Sequence, residues 1–166
     1  NILSGAQQVI ALIEEFKRLA DSIEKNSKGE VLLTALKKGF EKLRELGAAE
    51  KAVIFTESTR TQQYLLKVLE GSDYKGKIVL FNGSNSDTRS KEIYKTWIAK
   101  YQGTDTVTGS PSSDMRAALV EHFKNEAVIL IATEAAAEGI NLQFCSLVEN
   151  FDLPWNPQRI EQRIGR

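Results

Sequence analysis

The sequence predicts a parallel α/β sheet covered by helices on both faces and preceded by two helices. Three observations carry that expectation. Apolar runs of strand length recur at residues 51–56, 77–81, 128–131 and 147–151. Stretches with helical spacing of apolar residues separate most of these runs. The last two runs read as continuous in apolar character rather than alternating, as expected of strands buried on both faces, although the fourth includes Glu149 and Asn150.

Val9, Leu12, Ile13, Phe16, Leu19 and Ile23 fall on one face of a first helix. Leu32, Leu36, Phe40 and Leu43 form the stripe of a second, after a break at residues 26–29. Residues 1–49 therefore read as a helical lead-in, and residues 50–166 as the sheet-forming unit. Lys51-Ala52-Val53-Ile54-Phe55-Thr56 gives the first strand, a polar turn follows at 57–61, and Leu65, Val68 and Leu69 mark the next helix. The second strand ends at Asn82-Gly83-Ser84-Asn85, a turn-forming composition. Tyr94, Trp97, Ile98 and Tyr101 lie on a helix, more simply as core than as a base-stacking platform. Residues 102–113, rich in Gly, Thr, Ser and Asp with Pro111, read as a loop. Met115, Leu119 and Phe123 define a further helix before the third strand.

Composition sets limits on function. The 166 residues, 42% apolar and 27% charged, suffice for one domain with a substantial core. The 22 basic residues balance the 22 acidic ones, which argues against a histone-like binder and confines any affinity for nucleic acid to a local patch. A single Cys145 in an apolar setting forms no internal disulfide and reads as a small buried residue, in keeping with a reducing cytoplasm. No apolar run approaches the roughly 18 residues a membrane-spanning helix needs, and no metal-type Cys/His cluster is present. The first residue is Asn1 rather than Met, so the expectation is a piece of a longer chain.

Ligands of parallel α/β sheets sit at the carboxyl ends of the strands. That rule points to residues 56–61, 82–85, 133–141 and 152–157. Thr133 to Asn141 combines a hydroxyl with small side chains that leave backbone amides open to a phosphate or sugar, although Thr133 serves equally as a helix cap. Trp155-Asn156-Pro157 reads as an aromatic anchor, a cap and a first helical residue. Arg163 and Arg166 then fall three apart on one helix face, a pairing that suits a triphosphate but also a solvated surface. His122 has no ligand or carboxylate at useful spacing and reads as a packing or surface residue.

The ordered set Lys51 to Glu57, Phe81-Asn82-Gly83, Ile131 to Gln143, Trp155-Asn156-Pro157 and Gln162-Arg163-Ile164-Gly165-Arg166 resembles motifs IV, IVa, V and VI of superfamily-two helicases. The Gly-Ile-Asn-Leu-Gln and Trp-Asn-Pro elements look most like the bacterial Swi/Snf-type branch. The resemblance covers residues 51–166 and implies a RecA-like second motor lobe of an ATP-dependent DNA translocase or helicase. It implies ATP and Mg2+ as cofactors, bound mainly by a first lobe. Arg166 takes the arginine-finger position, and Arg163 and Gln162 support the γ-phosphate and the coupling between lobes. Gly139 and Asn141 approach the nucleotide. Thr56, Ser58, Gly83 and Thr133 touch one strand of a nucleic-acid backbone. The implied partners are double-stranded DNA, with RNA as the alternative, and the N-terminal motor lobe of the same chain, with no membrane.

The sequence also departs from the family pattern. It lacks a Gly-x-x-x-x-Gly-Lys-Ser/Thr loop, so this stretch alone is expected to be inactive as an ATPase. It stops at Arg166, where the pattern continues to another arginine. The spacing from Gly83 to Met115 is long, which suggests an insertion near residues 84–113. A rival reading is a non-catalytic RecA-like binding or docking module. A phosphate loop and an Asp-Glu pair upstream of Asn1 would distinguish the motor from that module.

Overall fold

The protein is described by a computed structural model covering Ile13, residues 28–145 and residues 147–151. In chain order these form α1 (Lys28–Glu45), β1 (Ala52–Thr56), α2 (Thr59–Glu70), β2 (Ile78–Phe81), α3 (Thr88–Tyr101), α4 (Pro111–Glu126), β3 (Ile129–Thr133), the short α5 (Glu134–Ala137) and β4 (Leu147–Asn150). The four strands make one parallel sheet in the order β2-β3-β1-β4. The α/β expectation is met.

Successive side chains along a strand point to opposite faces, and this alternation divides the core in two. Ala52 and Ile54 of β1, with Ile129 and Ile131 of β3, meet Leu36 and Phe40 of α1 and Leu65 and Leu69 of α2. Val53 and Phe55, with Leu130 and Ala132, meet Trp97 of α3 and Leu119 and Phe123 of α4. Both central strands are buried along their whole length, which explains their unbroken apolar runs. The stripe containing Trp97 is core as expected, with the Trp97 and Tyr101 rings 5.2 Å apart. Cys145 is buried, and its thiol donates to the Lys51 carbonyl at 3.1 Å.

The second lead-in helix is present as α1. The first, over Val9 to Ile23, lies outside the described residues apart from Ile13, which packs against the core on the α1 and α2 face. The loop expected over 102–113 is shorter than its composition suggests, because α4 begins at Pro111, which occupies the first helical turn. The carboxylate of Asp114 accepts from the Thr108 amide at 3.0 Å, the Thr108 hydroxyl at 2.8 Å and the Gly109 amide at 3.3 Å. Those bonds, led by the one from the Thr108 backbone, hold its pKa below the usual carboxylate range. They tie the loop back onto the helix and let Ser113 join α4. No helix among the described residues is long and apolar enough to cross a membrane.

Glu149 is the conspicuous polar residue of the sheet. It stands beside Ile54 in register, is fully buried, and its Oε1 has no hydrogen-bond partner among the described residues. Burial pushes its carboxyl up to about 8, so the neutral form prevails near pH 7.

Candidate nucleic-acid interface at the strand ends

Because the strands are parallel, the exits of β1, β2 and β3 open at one edge of the sheet. Thr56 and Thr133 are direct register partners at the ends of β1 and β3, and Phe81 lies opposite Ala132 at the end of β2. The structure thus gathers Thr56, Ser58, Gly83 and Thr133 at one edge, from three separate segments of sequence.

Their side chains differ in availability. Thr56 is completely buried, and its hydroxyl donates to the Ser58 carbonyl at 3.0 Å, so it presents no surface of its own. Ser58 is half-buried and caps α2, its Oγ accepting from the Thr61 amide at 3.1 Å. Gly83 is exposed, and a Cβ added there would meet nothing within 4 Å. Thr133 caps α5 without a side-chain cap hydrogen bond, so that use of its hydroxyl is not made.

Beyond α5 the chain turns at Gly139, whose φ of 83° is a conformation other residues adopt poorly. Space around it is open, which fits close approach of a nucleotide. Asn141 is exposed, its Oδ1 accepting from the Gln143 amide at 3.2 Å. Arg116 of α4 donates to the carbonyl of Glu138 at 3.1 Å, one residue before the turn, and its guanidinium lies 5.1 Å from the centre of the Phe81 ring. This arginine therefore spans the exits of β2 and β3. Gln162, Arg163, Arg166 and the Trp155-Asn156-Pro157 corner lie outside the described residues.

The largest feature of the edge that residue patterns did not reveal is a buried amide network. Gln62 of α2 is fully buried, and its Nε2 donates to the carbonyls of Phe81 at 3.1 Å and Ile131 at 2.8 Å. Its Oε1 accepts from Asn82 Nδ2 at 2.9 Å. Asn82 Oδ1 in turn accepts from the Ser84 amide and hydroxyl, both at 3.1 Å, and from the Asn85 amide at 2.8 Å. Asn85 Oδ1 closes the ring by accepting from the Asn82 amide at 2.8 Å. A signal did exist in the sequence: Gln62 shares a helix face with Leu65 and Leu69, and a polar residue on a core-facing stripe needs buried partners.

His122 plays no part in this edge. It is half-buried on α4, 3.5 Å from Arg89, and burial, followed by that positive neighbour, lowers its basicity.

Residues 62–166 match the family model described as the helicase conserved C-terminal domain. The chain belongs to that helicase family. Its RecA-like fold follows from the same match and from the all-parallel sheet. Among curated proteins, the helicase chain is 33% identical to the uncharacterized ATP-dependent helicase YqhH of Bacillus subtilis, over 94% of its own length and 31% of that protein's. It is 32% identical to the ATP-dependent RNA helicase RhlB of Actinobacillus succinogenes, over 76% of its length and 30% of the relative's. The RhlB of Yersinia pestis strain Pestoides F is 29% identical over the same share of the chain. The helicase chain thus spans about a third of the length of these relatives. No solved structure matches it.

Proposed function

We propose that this lobe is the second half of an ATP-dependent DNA translocase of Swi/Snf type. One observation carries the reading above the others. Three strand exits that are far apart in sequence present Ser58, Gly83 and Thr133 along one edge, with Gly139 in an open turn just beyond. Gly83 is exposed, Ser58 half-buried and Thr133 buried, so backbone groups and one partly open hydroxyl are what this edge offers to phosphates and sugars without regard to base, as a translocase needs. Thr56 contributes by holding the Ser58 carbonyl rather than by direct contact.

Gly139 and Asn141 approach the nucleotide, and Gln162, Arg163 and Arg166 complete its site when the lobes close. ATP is the substrate, and the carboxylates that hold its Mg2+ belong to the first lobe. Closure brings Arg166 to the γ-phosphate, where its guanidinium offsets charge developing in the transition state. Opening after hydrolysis releases the grip of this lobe, and alternation of the two states moves it along the duplex. The segment 84–113 is an insertion relative to the family pattern that has been absorbed into the core through α3.

In the full-length protein, Arg166→Ala is expected to lower DNA-stimulated ATP turnover by on the order of 10³ to 10⁵ while nucleotide binding persists. Undiminished turnover in that variant rules out the finger. A second reading, an RNA helicase, draws support from the names of the RhlB relatives. Stimulation of the ATPase by duplex DNA and by RNA, measured side by side, separates the two. Triplex displacement without strand separation would mark translocation.

A further inference from the structure

We propose that Gln62 is a positioning residue for the nucleic-acid grip. Through its buried amide network it fixes the turn after β2 in register with the exit of β3, so that Gly83 and Thr133 meet the backbone at a set spacing. The proposal rests on the reading of this edge as a grip.

The chemistry of the amide makes the assignment specific. Nε2 places its two donors on the carbonyls of two neighbouring strands, while Oε1 takes the amide of Asn82. A carboxylate offers no donor to those carbonyls, and an aliphatic side chain offers nothing to any of the three partners. From Asn82 the constraint passes outward. Its Oδ1 gathers the amides of Ser84 and Asn85, and Asn85 accepts the φ of 47° that the turn requires while its own Oδ1 holds the Asn82 amide. Asn tolerates that left-handed conformation better than most residues. Gly83 sits inside this closed ring, exposed and with open space around it. A buried, fully bonded network of this kind fixes geometry as well as adding stability. A turn held in place before binding avoids the ordering cost that a loose loop incurs on contact.

The test uses the full-length protein and a mixed-sequence DNA duplex, with ATP turnover followed as the duplex is titrated. Gln62→Leu removes the hub. Asn85→Gly keeps the positive φ accessible, removes only one acceptor, and covers the case in which Gln62→Leu fails to fold. Both are expected to raise the apparent KM for the duplex, Gln62→Leu by about tenfold, equivalent to about 1.4 kcal/mol of binding. Turnover at saturating duplex should stay near wild type. Lost stability is expected on either account, so the KM decides: a purely structural role lowers the melting temperature and the number of active molecules but leaves the KM unmoved. An unchanged KM in folded variants overturns the proposal. Gly83→Glu, which places a negative charge on the exposed turn, tests the grip itself. If Gly83→Glu weakens binding and the Gln62 and Asn85 variants do not, the grip stands and the positioning role falls. If Gly83→Glu binds as wild type does, both fall.

Discussion

The exits of β2 and β3 lie side by side in the sheet, yet they are built on opposite principles. After β2, residues 82–85 are closed by side-chain hydrogen bonds at 2.8 to 3.1 Å and anchored on the fully buried Gln62. After β3, Thr133 caps α5 without a side-chain bond, α5 ends after four residues, and the chain turns at Gly139. There the Ile140 amide bonds to the Ala137 carbonyl, and Arg116 reaches the Glu138 carbonyl from α4. The first exit is fixed by a saturated buried network, whereas the second depends on one glycine conformation and a partly exposed arginine. Segments with fewer buried bonds open at lower free energy, and elements that respond to a ligand are drawn from that class. Under the proposed function, the constant part of the grip would lie at the β2 exit and at Thr133 in register beside it, and the nucleotide-responsive step in the turn at Gly139 beyond α5.

The largest effect should come from breaking the rigid side. Gln62→Leu keeps a similar volume but leaves the carbonyls of Phe81 and Ile131 and the amide of Asn82 without their buried partner. Each unpaired buried group costs about 1–3 kcal/mol, and partial relaxation brings the expected total loss to about 3 kcal/mol. Denaturant unfolding reads it directly. A loss within experimental error would mean that water or a rearranged Asn82 replaces the hub, and the claimed rigidity of this exit would go with it.

The same contrast explains what the sequence disclosed. Strand and helix positions were legible because burial on both faces writes continuous apolar runs into β1 and β3 and a 3-4 spacing into the helices. The gathering of residues 56–58, 83 and 133 followed from the rule that ligands sit at parallel strand ends. The strand order β2-β3-β1-β4 was not legible, since apolar runs do not state which neighbour they pair with. Nor was the Gln62 hub, whose partners are mostly carbonyls and therefore carry no residue signature. The start of α4 was obscured because Thr, Gly, Ser and Pro around residues 104–113 look like loop, although the bonds to Asp114 turn their end into a helix start. Glu149 and Asn150 depart from the apolar character expected of β4, and only the structure shows that Glu149 is buried.

A smaller effect distinguishes the two exits through their glycines. Gly139 has a φ of 83°, so Gly139→Ala forces a left-handed conformation on a residue with a Cβ, at about 1–2 kcal/mol, although nothing nearby would clash. Gly83 is equally uncrowded but does not have a positive φ, and Gly83→Ala should shift stability by no more than about 0.5 kcal/mol. Paired unfolding curves check this. Equal losses at both positions would show that the turn after β3 is no more dependent on its glycine than the turn after β2.

The smallest effect concerns the link between the exits. Arg116→Met removes the bond to the Glu138 carbonyl and the contact with the Phe81 ring while retaining an extended apolar stem. Because the guanidinium is only partly buried, the loss is expected to be about 1 kcal/mol. Its distribution is more informative than its size. Hydrogen exchange at the Ile140 amide should accelerate, since the Glu138 carbonyl inside the turn that this amide closes on Ala137 is no longer held. Exchange at the Asn82 and Asn85 amides should stay slow, because their acceptors lie within the ring anchored by Gln62. Acceleration at both exits together would mean that Arg116 couples them into a single mechanical unit, and the division into a fixed grip and a responsive turn would no longer hold.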